Sequence, residues 1–259
     1  MTLIVAISDL HLDHRNQGVE RFEEIARGMR QAVQVAIDRK ADLFVGGGDY
    51  SDPDSGAIVF RVIALLIESM MRLDKAGIHQ VWVKGNHDAT SGSGGESVLT
   101  PIARLSDYCY AHVAESPMTI DWWTERSGRR FGVLLLPHGQ YDAAARVSDF
   151  ATSMRVQDAS VGPPGVSPLR VVVSHLFPIP EMEPGEETSE MPRGGPNPLP
   201  LEALAEIPGE VLVLSGHYHK RQVFRSGVRG CPPVHVIGSL CQLSHSEESN
   251  SPGFLVIEV

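Results

Sequence analysis

The chain is 259 residues long, 42% hydrophobic and 21% charged, a composition that specifies a packed core and excludes a disordered polypeptide. Its formal net charge of −10 repels polyanions at long range, which argues against a protein that coats nucleic acid but leaves room for an enzyme handling DNA locally. The most apolar stretch, residues 58–67, is broken by Arg61 and followed at once by Glu68, short of the roughly 18 apolar residues of a membrane span.

The apolar opening, residues 1–6, has no basic leader region and runs into Asp9, so it reads as a first strand over 3–7 and not as a signal peptide. A helix is expected from about residue 20 to 39, with Phe22, Ile25, Met29, Val33 and Ile37 on one face, and a strand follows at 43–45. A second helix over about 57–75 carries Val59, Val62, Ile63, Leu66, Met70 and Leu73 before a third strand at 81–83. This alternation is the βαβ signature of an α/β fold with helices packed outside sheets. Later strands are expected at 132–136, 170–174, 211–214, 234–237 and 254–258. Residues 91–95 and 178–200 are loops by composition. The second, rich in Pro, Gly and Glu, reads as a surface excursion or lid within one domain spanning 1–259. Cys109, Cys231 and Cys241 form an odd set without C-x-x-C spacing. Neither a disulfide framework nor a zinc knuckle is indicated, and a cytoplasmic location is expected.

Metal-capable residues fall at the ends of these strands. Asp9-Leu10-His11 follows the first, Gly48-Asp49 the second, Gly85-Asn86-His87-Asp88 the third, His175 a later one and Gly216-His217-Tyr218-His219 another. In α/β sheets, loops at the carboxyl ends of strands converge on the site. Residues two apart in extended backbone point the same way, so Asp9 with His11 and His217 with His219 would each present a pair of ligands, while Leu10 turns back to the core. The glycines before Asp49, Asn86 and His217 allow sharp turns and close backbone approach. Imidazole mixed with carboxylate and amide oxygen, without thiolate, suits manganese, iron or zinc. A carboxylate such as Asp49 has two oxygens and can bridge two cations. Each motif alone would read as a turn, a cap or a core histidine; it is all five in order that point to a binuclear centre.

Taken together, these motifs resemble the full set of the calcineurin-like metallophosphoesterase superfamily, from about Leu3 to the end of the sequence. That resemblance implies a four-layered αββα sandwich of two mixed sheets flanked by helices. It also implies two divalent metal ions, with Mn²⁺ favoured over Fe or Zn. Asp9, His11 and His219 would hold one ion, Asn86, His175 and His217 the other, and Asp49 would bridge them. His87 matches the family's histidine at the leaving group, and Asp52 the acidic residue that orients it. Asp88, Tyr50, Tyr218 and Arg221 lie beside these positions as candidates for supporting or substrate contacts. Two divalent ions, offset by Asp9, Asp49 and a bridging hydroxide, leave a charge of about +1 that attracts phosphate. The hydroxide is then the nucleophile, and a histidine remains to protonate the departing oxygen.

Protein phosphatases of the superfamily usually place an arginine directly after the position of Asp52, where this chain has Pro53. Ser8-Asp9-Leu10-His11-Leu12, the segment 237–244, Glu247 and Gly253-Phe254 are similar to the SbcD branch, the nuclease subunits of double-strand-break repair. The expectation is therefore a phosphodiesterase acting as a DNA nuclease on ends or single strands. A phosphodiesterase for a nucleotide or other small diester is the alternative, and a non-catalytic binding scaffold the third reading. SbcD-type chains usually continue into a DNA-capping domain and a helical segment that grips an SbcC-like coiled-coil ATPase. This sequence stops at Val259, so that attachment segment is not evident; a homodimer stays open. Arg126, Arg129 and Arg130, and then Lys220, Arg221, Arg225 and Arg229, form either a solvated face or a phosphate-backbone track. Of the adjacent Trp122 and Trp123, one ring should be buried and one exposed, and Met70-Met71 should fill the core.

Overall fold

Helical periodicity and paired apolar strands sort the chain into two sheets, each with its own helical cover. The computed structural model describes residues 1–52, 56–89, 96–104, 110–124, 128–158, 167–176, 197–244 and 247–259. In chain order come β1 (Leu3–Ile7), the short hairpin β2 (Arg15–Asn16) and β3 (Val19–Glu20), α1 (Phe22–Asp38), β4 (Leu43–Gly46), α2 (Gly56–Lys75) and β5 (His79–Val83). The one-turn α3 (Thr100–Ala103), β6 (Ala111–Ala114), β7 (Met118–Trp123), β8 (Arg130–Leu136), α4 (Ala143–Asp158) and β9 (Leu169–Ser174) follow. The one-turn α5 (Leu201–Leu204), β10 (Glu210–Ser215), β11 (Gln222–Phe224), β12 (Val234–Val236) and β13 (Leu255–Glu258) complete it.

The first sheet has the order β13-β1-β4-β5-β6 and the second β11-β12-β10-β9-β8-β7. Neighbours are parallel throughout except at β13, β7 and β11, which join antiparallel at sheet edges. Successive side chains on a strand point to opposite faces, and here both faces are covered. On the outer face of the first sheet Leu3, Val5 and Ile7 meet Ile25, Met29 and Val33 of α1 and Leu66 and Leu73 of α2. On its inner face Ile4, Ala6, Val45 and Val81 pack against Val133, Leu135, Val171 and Leu214 of the second sheet. Leu134, Val172 and Val213, on the far side of that sheet, are capped by Val147, Phe150 and Met154 of α4. The result is the αββα layering, and the double burial explains why the central strands read as unbroken apolar runs.

The expected strands and both long helices form within a few residues of their anticipated bounds. Edge strands β6, β7 and β11 and helix α4 were not anticipated. In α4 the buried residues Ala143, Val147, Phe150, Ala151 and Met154 do share a face, but Val156 is exposed and small alanines blur the contrast. Trp122 packs inside, stacked on Phe131 with ring centroids 5.2 Å apart, while Trp123 is exposed. Met70 is buried as expected, but Met71 is exposed on α2 and does not fill the core. Most of the anticipated lid at 178–200, together with 91–95, Pro53, Cys109 and Arg126, lies outside the described residues. No helix among the described residues is long and apolar enough to cross a membrane.

Candidate metal centre

The loops after β1, β4, β5, β9 and β10 meet at one end of the sandwich. Backbone bonds bind the first two together: Asp9 N–H donates to Gly48 O at 2.9 Å, and Leu10 and His11 N–H both donate to the Asp49 carbonyl, at 2.8 and 3.0 Å. Asp9, His11, Asp49 and His217 have φ of 50°, 44°, 54° and 76°. These residues are therefore not extended, and left-handed turns aim the side chains where strand alternation was expected to do so. A non-glycine residue held there costs on the order of 1–3 kcal/mol, a strain typical of functional sites. Leu10 does turn into the core, fully buried. Gly48 adopts φ +103°, and a Cβ on it would strike the His175 ring. Gly85 has an ordinary backbone, but a Cβ there would collide with Asp49 Oδ1, so close packing and not turn geometry demands glycine.

Two groups of side chains result. Asp9, His11 and His219 bring a ligand atom each within 4.8 Å of one another, and so do Asp49, His175 and His217. Asn86 joins the second group through Oδ1, 2.7 Å from His217 Nδ1 and 3.2 Å from His175 Nε2. Asp49 stands between them, with Oδ2 3.1 Å from His175 Nε2 and 3.9 Å from His11 Nε2. Its other oxygen, Oδ1, accepts the His87 N–H at 2.8 Å. Asp9 Oδ2 and His11 Nε2 are buried with no hydrogen-bond partner among the described residues. A buried carboxylate oxygen and imidazole nitrogen left this way are costly unless a cation takes them up, so the residues present fit a pair of divalent ions.

Supporting contacts fix each ring. His175 Nδ1 is 2.6 Å from Gly47 O and His11 Nδ1 is 3.1 Å from Asp52 Oδ2, which leaves Nε2 of both to the centre. The other Asp52 oxygen lies 2.5 Å from His87 Nδ1, so one carboxylate orients two histidines. Glu247, known from the sequence only as part of a closing element, is buried; its Oε1 is 2.7 Å from His219 Nδ1 and its Oε2 accepts the Leu243 N–H at 2.8 Å. Asp13 was missed as well: its carboxylate accepts the Ser51 hydroxyl at 2.9 Å and the Asp52 N–H at 2.6 Å. The alternation of Asp9, His11 and Asp13 with buried Leu10 and Leu12 was the signal for it. Asp88, fully buried, collects four backbone donors. Oδ2 accepts from Asp49 and Gly85 at 2.9 and 2.7 Å, and Oδ1 from Tyr50 and Ser51 at 2.7 and 3.3 Å.

Electrostatics follow from this packing. Burial works to raise Asp49, but the imidazoles of His175, His11 and His87, with His175 foremost, together outweigh it and hold the carboxyl well below the usual range. Burial raises Asp9, opposed by His175 and His219. The hydrogen bond to Asp52 lifts His87 to about 9, whereas burial pushes His217 down to about 3.

The remaining candidates take less direct places. Tyr50 is fully buried in the core beside Trp82, with ring centroids 5.7 Å apart, and its hydroxyl accepts the Gly48 N–H at 3.3 Å. Tyr218 is buried in the α4-side core, its ring stacked with that of His217 at 6.2 Å. Arg221 is half-buried, with Nε donating to Ile237 O at 3.3 Å. Arg129 pairs with Glu210 and Arg130 with Asp121, at the start of β8 and so at the opposite end from the centre. They form no track into it. Arg225 and Arg229 are exposed around β11.

The family of calcineurin-like phosphoesterases matches this chain over residues 2–221. No curated protein matches significantly. Among solved structures, a dimetal phosphatase from Danio rerio is 13% identical, with 92% of this chain and 87% of that one covered and a TM-score of 0.50. GAP50, the anchor in the inner membrane complex of Plasmodium, is 11% identical, with 98% and 80% covered and a TM-score of 0.49. At 13% identity the first likeness speaks for the fold alone, and it agrees with the αββα sandwich. With the family match running through all five strand-end motifs, the chain belongs to the calcineurin-like phosphoesterases and is a metal-dependent phosphoesterase.

Proposed function

We propose that this phosphoesterase is a binuclear enzyme that hydrolyses phosphodiesters, and that its substrate is DNA, taken as ends or single strands. The observation that carries the binuclear reading is the Asp49 carboxylate, one oxygen of which faces His175 and His11, members of the two ligand groups. In this reading Asp9, His11 and His219 hold one ion, Asn86, His175 and His217 hold the other, and Asp49 serves both. Manganese suits this thiol-free, histidine-rich set best, with iron or zinc next. Ions so held supply Lewis acidity toward phosphoryl oxygens and lower the pKa of a water. His87 has Nδ1 engaged by Asp52 and a side chain 46% exposed, so its Nε2 is the nitrogen left to protonate a departing oxygen. Asp52 positions that ring.

DNA as substrate rests on the similarity of the closing segment to SbcD-type nucleases. A small or nucleotide diester is the second reading, favoured by the net charge of −10 and by the pairing of Arg129 and Arg130 away from the centre. Incubating the Mn²⁺-loaded protein with labelled single- and double-stranded DNA and with bis(p-nitrophenyl) phosphate decides between them. Cleavage of both classes supports the nuclease. Hydrolysis of the small diester alone overturns it, and turnover of neither overturns the enzymatic reading in favour of a binding scaffold.

A further inference from the structure

Two buried carboxylates divide the loop after β4 between them. Of its consecutive N–H groups, those of Asp49, Tyr50 and Ser51 go to Asp88, and that of Asp52 goes to Asp13 Oδ1 at 2.6 Å. Asp13 Oδ2 accepts the Ser51 hydroxyl at 2.9 Å. Asp88 thereby places Asp49, which stands between the ligand groups, and Asp13 places Asp52, which holds His87.

The lacing of the two loops shows why a side chain is needed at this point. Asp9 N–H donates to Gly48 O, Leu10 and His11 N–H to Asp49 O, and Leu12 N–H to Tyr50 O, so the backbones run side by side as far as Leu12 and Tyr50. There the first loop turns, with His14 N–H donating back to His11 O at 2.8 Å. Among the described residues no backbone bond joins Asp13 to Ser51 or Asp52. The Asp13 carboxylate, 6% exposed, carries the lacing on to Asp52, and a charged acceptor makes the stronger kind of hydrogen bond.

What Asp52 carries gives that anchor its consequence. Its Oδ1 lies 2.5 Å from His87 Nδ1, and its Oδ2 3.1 Å from His11 Nδ1. The His87 backbone is held independently, by its N–H to Asp49 Oδ1. Its ring is half exposed and meets His11 edge-on, with centroids 4.9 Å apart, so the Asp52 carboxylate decides where Nε2 points. An aspartate side chain is short, and a shift of the Asp52 backbone moves both oxygens with it. We propose that Asp13 is a positioning residue for the acid, acting through the Asp52 backbone on the His87 ring. This rests on the reading in which His87 protonates the leaving group. A plain loop anchor would make the same two bonds, and the two roles differ in what their loss does to the reaction.

The test compares bis(p-nitrophenyl) phosphate with diphenyl phosphate, whose leaving phenolate needs more protonation. Saturating Mn²⁺ keeps any weakening through His11 out of the rates, and calorimetry counts the bound ions. Asp13→Ala should bind as many ions as the parent. It should lose about 10–100-fold in kcat on the phenyl ester, the cost of displacing a positioned group by up to about 1 Å, and less than about threefold on the nitrophenyl ester. Asp13→Asn can still accept from Asp52 while Ser51 Oγ accepts from its NH₂, so phenyl-ester turnover should recover to within about threefold of the parent. In a His87→Ala background Asp13→Ala should cost less than about twofold more, since the group it positions is gone. Asp13→Ser, whose single oxygen replaces only one of the two bonds, carries the same comparison where Asp13→Ala does not fold. Equal losses on both esters, or a loss that adds in full to that of His87→Ala, would make Asp13 a loop anchor only and overturn the proposal. If His87→Ala itself slowed both esters equally, the acid role would fall and this proposal with it, whereas failure at Asp13 alone leaves the acid role standing.

Discussion

Asp88→Asn isolates the part of the centre that is scaffold and not chemistry. Each Asp88 oxygen accepts two backbone N–H groups, from Asp49 and Gly85 on one side and from Tyr50 and Ser51 on the other. An amide in either orientation faces one pair of donors with its own NH₂, so two buried N–H groups lose their acceptor. At about 1–3 kcal/mol for each unsatisfied buried group, the loss is about 2–6 kcal/mol, out of a stability of about 5–15 kcal/mol for a typical domain. For a chain of this length that is a fall in Tm of about 5–20 °C, measured calorimetrically on chelated protein so that bound ions do not compensate. Asp88→Ala removes all four acceptors and should leave little folded protein. The bonds tie the loop carrying Asp49 to the loop carrying Asn86 and His87, so Asp88→Asn should also weaken metal binding. An Asp88→Asn protein melting within about 2 °C of the parent would show that these four bonds are not what holds the two loops together.

Other expectations follow from the same contacts. His87→Ala should retain both ions and lose about 10²–10⁴ in turnover of an alkyl diester, and less for a nitrophenolate leaving group, which needs little protonation; Asp52→Asn should show a milder loss of the same kind, whereas loss of metal with His87, or equal slowing of both substrates, would contradict the acid role. Glu247→Gln should keep a hydrogen bond to His219 but weaken one ion by about 10–100-fold, read by competitive chelation; an unchanged affinity would make the Glu247 contact purely structural. His79 and His112 are both lowered by burial, so the folded state refuses protons that the unfolded chain accepts below about pH 6.5. Their contribution to stability is present above that pH and lost as pH falls toward the folded values. The urea midpoint of chelated protein should therefore drop between about pH 7.5 and pH 5.5, and His112→Gln should shrink the drop; equal drops in parent and variant would contradict it.

The convergence of the residues proposed as ligands was legible because chemistry and topology coincide: each lies just past an apolar strand, and loops at the carboxyl ends of strands meet. The means of presentation was not legible. Nothing in Asp9, His11 or Asp49 as residue types announces positive φ, which only the backbone bonds to Gly48 and Asp49 enforce. Glu247 lies 28 residues beyond His219, and no periodicity links partners that far apart. Asp88 stood beside the motif, but its four partners are backbone N–H groups, which sequence does not distinguish. The same limit applies to the fold. Central strands buried on both faces are apolar and easily seen, whereas β7, with Thr119, Asp121 and Trp123 facing out, alternates like many a loop. Tyr50 and Tyr218, next in sequence to the proposed ligands Asp49 and His217, point into core clusters, because the left-handed turns at Asp49 and His217 carry the following residue back into the core.

A pair of ions shared through Asp49 underlies every role proposed for the centre, and counting the ions during reconstitution tests it. Chelated protein titrated with Mn²⁺, followed together by calorimetry and by hydrolysis of bis(p-nitrophenyl) phosphate, should bind two ions per chain, with turnover appearing as the second site fills. Asp49→Ala should bind neither at comparable affinity. One ion per chain at full activity, or hydrolysis by exhaustively chelated protein, would contradict a shared pair of ions.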